Sequence, residues 1–256
     1  VNGDDIKNLS TVDAGAALQG KAAGIQVLNS SGAPGQGASI RIRGYSSNSD
    51  KLGPLLIVDG LKVDNIQYLD PSMIASMEVL KDAASAAIYG AQAGNGVVLI
   101  TTKTGNSANG RPKITYSFKA INQRLGKTPE IFGAKDWIKY KELSGYDMKT
   151  LCQSNGVDYD NPQETDWVNE VFGDSWATQH SVTFQDGNDK GHFFTSVNYL
   201  NNDGIVRGKK DTYTRLTGQL NADYQLYKWI KVGTNTSIEK WATRNITHQS
   251  AYGSML

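Results

Sequence analysis

The stretch TYTRLTGQLNADYQL, residues 212–226, decides how this sequence is read. Its even positions Leu216, Gly218, Leu220, Ala222, Tyr224 and Leu226 make one face. Its odd positions Arg215, Thr217, Gln219, Asn221, Asp223 and Gln225 make the other. Alternation this long has the period of an extended strand and does not fit a helix with 3.6 residues per turn. Residues 229–241 repeat it, with Ile230, Val232, Thr234, Thr236 and Ile238 set against Lys231, Asn235, Ser237 and Glu239. Residues 113–122 set Ile114, Tyr116, Phe118 and Ala120 against Lys113, Thr115, Ser117 and Lys119, and residues 179–185 and 192–200 are shorter examples. Together these segments predict five antiparallel strands.

The connections alternate between long and short. Residues 126–178 form a long excursion, 186–191 a tight turn, 201–211 a longer loop, and the link at Tyr227 and Lys228 is tight again. Membrane barrels have this asymmetry, with short turns at one end and long loops at the other. A soluble antiparallel sandwich also alternates, so periodicity alone leaves both readings standing. Strand length favours the barrel, because soluble strands run nearer five or six residues.

The rest of the composition narrows the field. Hydrophobic residues are 39% and charged residues 20% of 256, with 27 Gly and 6 Pro, as in an ordinary ordered protein. The net charge of +1 offers no basic face for nucleic acid. Cys152 is the single cysteine, which excludes an internal disulfide and a cysteine-based metal cluster. No apolar run of about 18 residues is present, so no transmembrane helix is predicted. A mean hydropathy of −0.43 is compatible with a membrane barrel, whose strands average out polar. Val1 without a leader and Leu256 just after a polar strand are read as cuts in a longer protein.

Before residue 106 the pattern changes to short elements dense in Gly and Ala, and the turn-forming segment 106–112 reads as a linker. Asp13 is placed to cap a helix over 14–20. A strand at 24–28 leads to a glycine loop at 30–38, and 39–44 alternates Ile40 and Ile42 with Arg41 and Arg43. Residues 54–60 form a short apolar strand ending in an Asp-Gly turn. Asp70 before Pro71 marks a helix start, 78–80 a brief strand, and Asp82 a cap for a helix through Ile88 closed by Gly90. Residues 97–102 are β-branched and suit a central strand. The fold class expected is therefore an α+β domain over 1–106, a mixed sheet with short helices. It is followed over 107–256 by antiparallel strands of a large transmembrane β-barrel that is incomplete in this chain.

The blocks LQGKAAGIQV (18–27), SIRIRG (39–44), PLLIVDG (54–60), EVLKDAASAAIYG (78–90) and NGVVLITTKTG (95–105) occur in that order. Together they resemble the plug domain of TonB-dependent outer-membrane transporters, on the SusC/RagA branch. GIVRG (204–208) and KWIKVGTNTS (228–237) resemble the barrel part of the same branch. The resemblance implies a plug filling the lumen of a barrel of about 22 strands in the outer membrane of a Gram-negative bacterium. It also implies import of oligosaccharides or peptides, a SusD-like surface lipoprotein as lid, energy from TonB through a segment not found in this sequence, and outer-membrane lipid around the strands. No enzymatic activity and no cofactor are implied. Gln92 departs from the branch, which commonly carries arginine there.

Candidate chemistry is sparse. GAPGQGA (32–38) resembles a phosphate loop, but a strand follows it where a dinucleotide fingerprint needs a helix. His180, His192 and His248 lack metal-pair spacing. Asp59, Glu78 and Asp82 form no set of nucleophile, base and oxyanion hole; Asp59 is explained by its turn and Asp82 by its cap. Arg41, Arg43, Glu78, Lys81 and Asp82 are expected to make the polar contacts that seat the plug yet let it move, since water replaces such contacts easily. Tyr45, Asn48, Asp50 and Tyr68 lie in the loops placed to meet substrate. Trp137, Trp167 and Trp176 with Tyr140, Tyr146 and Tyr159 either stack sugars or pack a core for the long excursion, and the need of a long ordered loop for such a core favours packing. Tyr199 and Tyr224 suit interfacial girdles. The competing function is a soluble β-rich extracellular binding or adhesion protein.

Overall fold

The computed structural model describes residues 1–6, 9, 11–29, 32–42, 44, 53–82, 87–105, 111–128 and 132–245. Six short strands come first: β1 Ile25–Leu28, β2 Ser39–Ile42, β3 Leu55–Val58, β4 Leu61–Val63, β5 Ile74–Leu80 and β6 Val97–Thr102. β1 and β2 form an antiparallel hairpin, and the other four form a sheet in the order β4-β3-β6-β5. β3 and β6 are parallel and central, with Leu55 beside Val97 and Val58 beside Ile100. A central parallel pair is covered on both faces, which is why both strands are almost wholly apolar. On one face Val58, Val98 and Ile100 pack with Leu18, Val27, Ile40, Ile42, Leu69, Ile74 and Met77. On the other, Ile57 and Val97 meet Ala93, with Tyr89 against them.

Local signals act largely as read. Asp59 and Gly60 take φ of 48° and 84°, the turn that joins β3 to β4. Asp70 caps a 3-10 turn at Pro71–Met73 by accepting from the Ser72 amide at 2.7 Å. The helix expected over 14–20 contracts to a 3-10 turn at Ala16–Leu18. Asp13 turns outward to accept from the Gly15 and Ala38 amides at 2.7 and 2.6 Å, so it staples the glycine loop instead of capping a full helix. That loop runs into β2. With the Ala38 amide taken by Asp13 and the Gln36 amide by the Ala33 carbonyl, it does not present a phosphate cradle. Of the helix expected from Asp82 through Ile88, residues 83–86 lie outside the described residues; from Ala87 to Asn95 the chain runs in 3-10 turns broken at Gly90, whose φ is 70°.

Five long strands follow: β7 Lys113–Gln123, β8 Ser175–Asn188, β9 Gly191–Asn202, β10 Thr212–Tyr227 and β11 Ile230–Arg244. They make one antiparallel sheet in the order β11-β10-β9-β8-β7, which is not closed. β8 and β9 are longer than the sequence pattern suggested, because Ser, Thr, Asn and Gln on their inward positions dilute the hydrophobic alternation. The excursion between β7 and β8 carries helices at Ala134–Leu143, Met148–Ser154 and Trp167–Val171. The 204–208 segment is tied to the chain just before β8: the Gly173 amide donates to the Ile205 carbonyl and the Arg207 amide to the Val171 carbonyl, both at 2.9 Å.

The sheet is inverted relative to a soluble protein. Arg215, Thr217 and Asn221 are 3%, 1% and 2% exposed, while Leu216 and Val197 are 47% and 54% exposed. Ile114, Tyr116, Phe118, Val182, Tyr199, Leu226, Val232 and Ile238 join the outward apolar face. A sandwich would bury that face; a strand wall in lipid exposes it. Tyr224 lies opposite Gly191, and Tyr199 is further along β9, opposite Leu216. At about 3.3 Å per residue and the tilt near 40° of a barrel strand, the two tyrosines are about 20 Å apart along the axis of such a barrel, close to the height of its apolar band. Arginine in place of Val197, midway along β9, should therefore destabilise the full-length protein by about 2–4 kcal/mol, as at a bilayer midplane. Urea titration in liposomes checks this. A change within about 0.5 kcal/mol, usual for an exposed site in water, would contradict a lipid-facing position.

Candidate functional site: the polar seam

The inner face of the long strands meets the small domain across side-chain hydrogen bonds. The Gln179 amide on β8 donates to the Asp70 carboxylate, whose other oxygen is held by the Ser72 amide. The hydroxyls of Ser72 and Ser181 lie 3.3 Å apart. On β10, Asn221 Nδ2 donates to Thr102 Oγ1 at 2.7 Å and to the Lys103 carbonyl at 2.8 Å. Lys119 Nζ on β7 reaches the Leu9 carbonyl at 3.5 Å.

Thr102 is set in place by the Asp-Gly turn. Its amide donates to Asp59 Oδ1 at 2.8 Å and its hydroxyl to Asp59 Oδ2 at 2.5 Å, which leaves the hydroxyl lone pairs for Asn221. One carboxylate thus orients the end of β6 toward the wall. Where the chain leaves this domain it touches the wall closely: a Cβ at Gly105 would lie 2.2 Å from the Asp186 carbonyl oxygen and 2.3 Å from the Phe193 amide nitrogen. A side chain there would push the two parts apart.

Further polar atoms are buried at this seam without a protein partner among the described residues: Ser196 Oγ, both amide atoms of Asn198, Thr217 Oγ1, Gln219 Oε1, and Nε and Nη2 of Arg215. Each would cost about 1–3 kcal/mol if left dry. Bridging water, which substitutes well for direct hydrogen bonds, is the remedy the composition allows. Beside the seam, a polar cavity of about 1090 Å³ lies between the domain and β7–β9, lined by residues that include Lys103, Lys113, Lys119, Gln185 and His192.

The comparisons with known proteins agree with this geometry. Residues 1–97 match the family model of the TonB-dependent receptor plug domain. Over 235 residues the chain is 34% identical to TonB-dependent receptor P39 of Formosa agariphila, covering 91% of this chain and 22% of that one. Over 229 residues it is 32% identical to TonB-dependent receptor SusC of Bacteroides thetaiotaomicron, covering 85% and 22%. The chain belongs to the TonB-dependent receptors, on their SusC/RagA branch. Its structure superposes on the RagAB peptide importer in the closed-closed state with a TM-score of 0.81 and 28% identity, covering 97% of this chain and 31% of that one. The chain thus spans about a fifth of the length of the curated relatives it matches. Members of this family are transport proteins, not enzymes.

The residues proposed from sequence fall in several places. Arg43, Tyr45, Asn48 and Asp50 lie outside the described residues. Arg41 sits half-buried on β2 opposite Gln26. Glu78 is exposed on β5 opposite Leu99, and Lys81, half-buried, lies with its chain near Gly24. Among the described residues neither Glu78 nor Lys81 bonds to the wall. Asp82 is exposed at the end of β5. Tyr68 packs against the plug core, and burial, then the charges of Asp59 and of Glu239 on β11, raise its hydroxyl above the usual tyrosine pKa. The seam residues themselves were missed. Asp70 reads as a cap, Asn221 belongs to the polar odd face of 212–226, and Gln179 and Ser181 fall in the alternating segment 179–185; that alternation was the available signal.

Replacing Asn221 with alanine removes the donor to Thr102 and Lys103 and should weaken this contact by about 1–1.5 kcal/mol. Hydrogen exchange at the Thr102 and Lys103 amides of the full-length receptor should quicken by roughly tenfold. Unchanged exchange would mean that Asn221 does not hold the plug.

Proposed function

We propose that this chain is the plug, residues 1–106, and the opening strands, residues 107–256, of an outer-membrane active importer of a Gram-negative bacterium. The carrying observation is the pairing of a polar inner face with a separately folded domain, while the apolar face of the same strands points outward. A domain held by hydrogen bonds and water is held firmly enough to block a lumen. It also moves without exposing an apolar core, because its own core is closed on itself. The plug gates the lumen, lipid covers the outer face, TonB supplies the energy, and a SusD-like surface lipoprotein receives the substrate. In this reading Arg41, Arg43, Glu78, Lys81 and Asp82 supplement the seam in the complete barrel, and Tyr45, Asn48, Asp50 and Tyr68 belong to its substrate side.

The substrate class is an oligosaccharide or a peptide. A relative in structure is a peptide importer. Deleting the whole gene from its host should abolish uptake of the oligosaccharide or peptide it carries, and loss of TonB should do the same. Radiolabelled uptake measures both. Uptake that persists without the protein, or without TonB, would overturn the importer reading.

A further inference from the structure

Residues directly opposite one another in an antiparallel sheet share a face, so the outward side of the long strands can be followed row by row. Ile238, Gly218, Val197, Val182 and Tyr116 lie opposite in turn from β11 to β7, an uncharged row. The next row, toward the end with the long loops, is Lys240, Leu216, Tyr199, His180 and Phe118. After it come Ala242, Thr214, Asn201, Thr178 and Ala120, all small or polar. Arg244 stands one row farther, opposite Thr212. The apolar band therefore ends at the row of Lys240. Within that row His180 is engaged by its neighbours: Nδ1 is 2.8 Å from the Tyr116 hydroxyl, and its ring lies 4.9 Å from that of Phe118. Among the described residues Lys240 has no ion-pair partner.

The charge on these rows has one sign. Lys240 and Arg244 are both cations, and no Asp or Glu occupies an outward position from the Tyr116 row to the Arg244 row. Glu239 is on the other face, opposite the buried Thr217. The loop between β9 and β10 adds to the same rim. Arg244 Nη1 donates to the Lys209 carbonyl at 3.4 Å, and the side chains of Lys209 and Lys210 are exposed. The acid that follows them, Asp211, is buried and turned inward, with its carboxylate accepting from the Val206 amide at 3.1 Å. Toward the tight turns, by contrast, Tyr224 faces Val232 and Ala222 faces Thr234, with no charge on either row of this pair of strands.

We infer that this outward rim of β10 and β11 binds the phosphate of an outer-leaflet glycolipid, the phosphorylated lipid A of lipopolysaccharide. A lysine at the edge of an apolar band lays its methylene stem on hydrocarbon and lifts its ammonium into the headgroups at little cost. Arg244 is four residues farther along β11, about 10 Å higher along the axis of a barrel whose strands tilt near 40°. The two cations thus bracket a headgroup layer, which is about 5–8 Å deep on each side of a bilayer. With no acid beside them on that face, their complement is an anion in the layer itself. A guanidinium fork matches phosphate oxygens, and the ammonium adds a point charge. The long-loop end of a barrel faces outward, so that phosphate belongs to the outer leaflet. The assignment rests on the importer reading for which end that is.

The test is native mass spectrometry of the full-length receptor in neutral detergent. Diphosphoryl lipid A, phosphatidylglycerol and phosphatidylethanolamine are added in turn. Lipid A should be retained in preference to both phospholipids, and raised ionic strength should weaken it. Lys240→Gln and Arg244→Gln should each lower its affinity by roughly fivefold. Lys240→Arg should keep most of it, and thermal unfolding of all variants should stay unchanged. No retention of lipid A, unchanged affinity in the glutamine variants, or equal retention and equal loss of phosphatidylglycerol would overturn the inference. Loss of lipoprotein binding in those variants with lipid A kept would also overturn it. If lipid A binds through these residues while uptake persists without the gene, the importer reading falls and this site stands. If uptake needs the gene and lipid A does not bind, the reverse holds.

Discussion

Everything in this chain follows from one requirement: the polar inner face of the long strands needs hydrogen-bond partners away from bulk water. Gln179, Asn198, Arg215, Thr217, Gln219 and Asn221 are nearly fully buried on that face. No apolar layer satisfies amides and a guanidinium, so the wall cannot close on a hydrophobic core of its own. It needs a domain with a polar surface and water between. The opposite face has the reverse requirement, which hydrocarbon meets in the proposed barrel. In that reading the strands lie between two different solvents, and the small domain supplies one of them.

That domain meets the requirement because its own folding is complete. Its apolar residues are spent on both faces of the β3–β6 pair, which leaves polar ends to face the wall. Asp59 and Asp70 each do two tasks with one carboxylate. Asp59 sits in a hairpin turn and orients Thr102; Asp70 caps Pro71–Met73 and receives Gln179. Since the net worth of each such bond is about 1 kcal/mol, a handful of them seats the domain without fixing it permanently. This balance is what a movable plug needs.

Much of the fold was legible in the sequence because it depends on local rules. The period of two in 212–226 gave the strand faces, and Asp-Gly and Asp70-Pro71 gave a hairpin and a cap that the structure places as read. What the period could not give was direction: the same alternation serves a soluble sheet until burial shows which face is inside. The lengths of β8 and β9 were hidden by polar residues on inward positions, and the helix near 14–20 shrank because a tertiary contact, Asp13 to Ala38, outweighed weak local propensity. The seam was illegible for a different reason. Its partners are 109 to 119 residues apart in the chain, and nothing local marks a glutamine as facing an aspartate rather than water. In the excursion, the sequence showed aromatics but not that the core would be built from Ile138, Met148 and Cys152, with Tyr159 the one aromatic packed against it among the described residues.

The central claim is that odd positions of β10 face the plug and even positions face lipid. It is tested most directly by placing a single reporter at Leu216, Thr217, Leu220 and Asn221 in turn. Each full-length variant is reconstituted in brominated lipid and its fluorescence quenching measured. Strong quenching at Leu216 and Leu220 with little at Thr217 and Asn221 is the predicted result; the reverse order, or equal quenching at all four, would contradict the account.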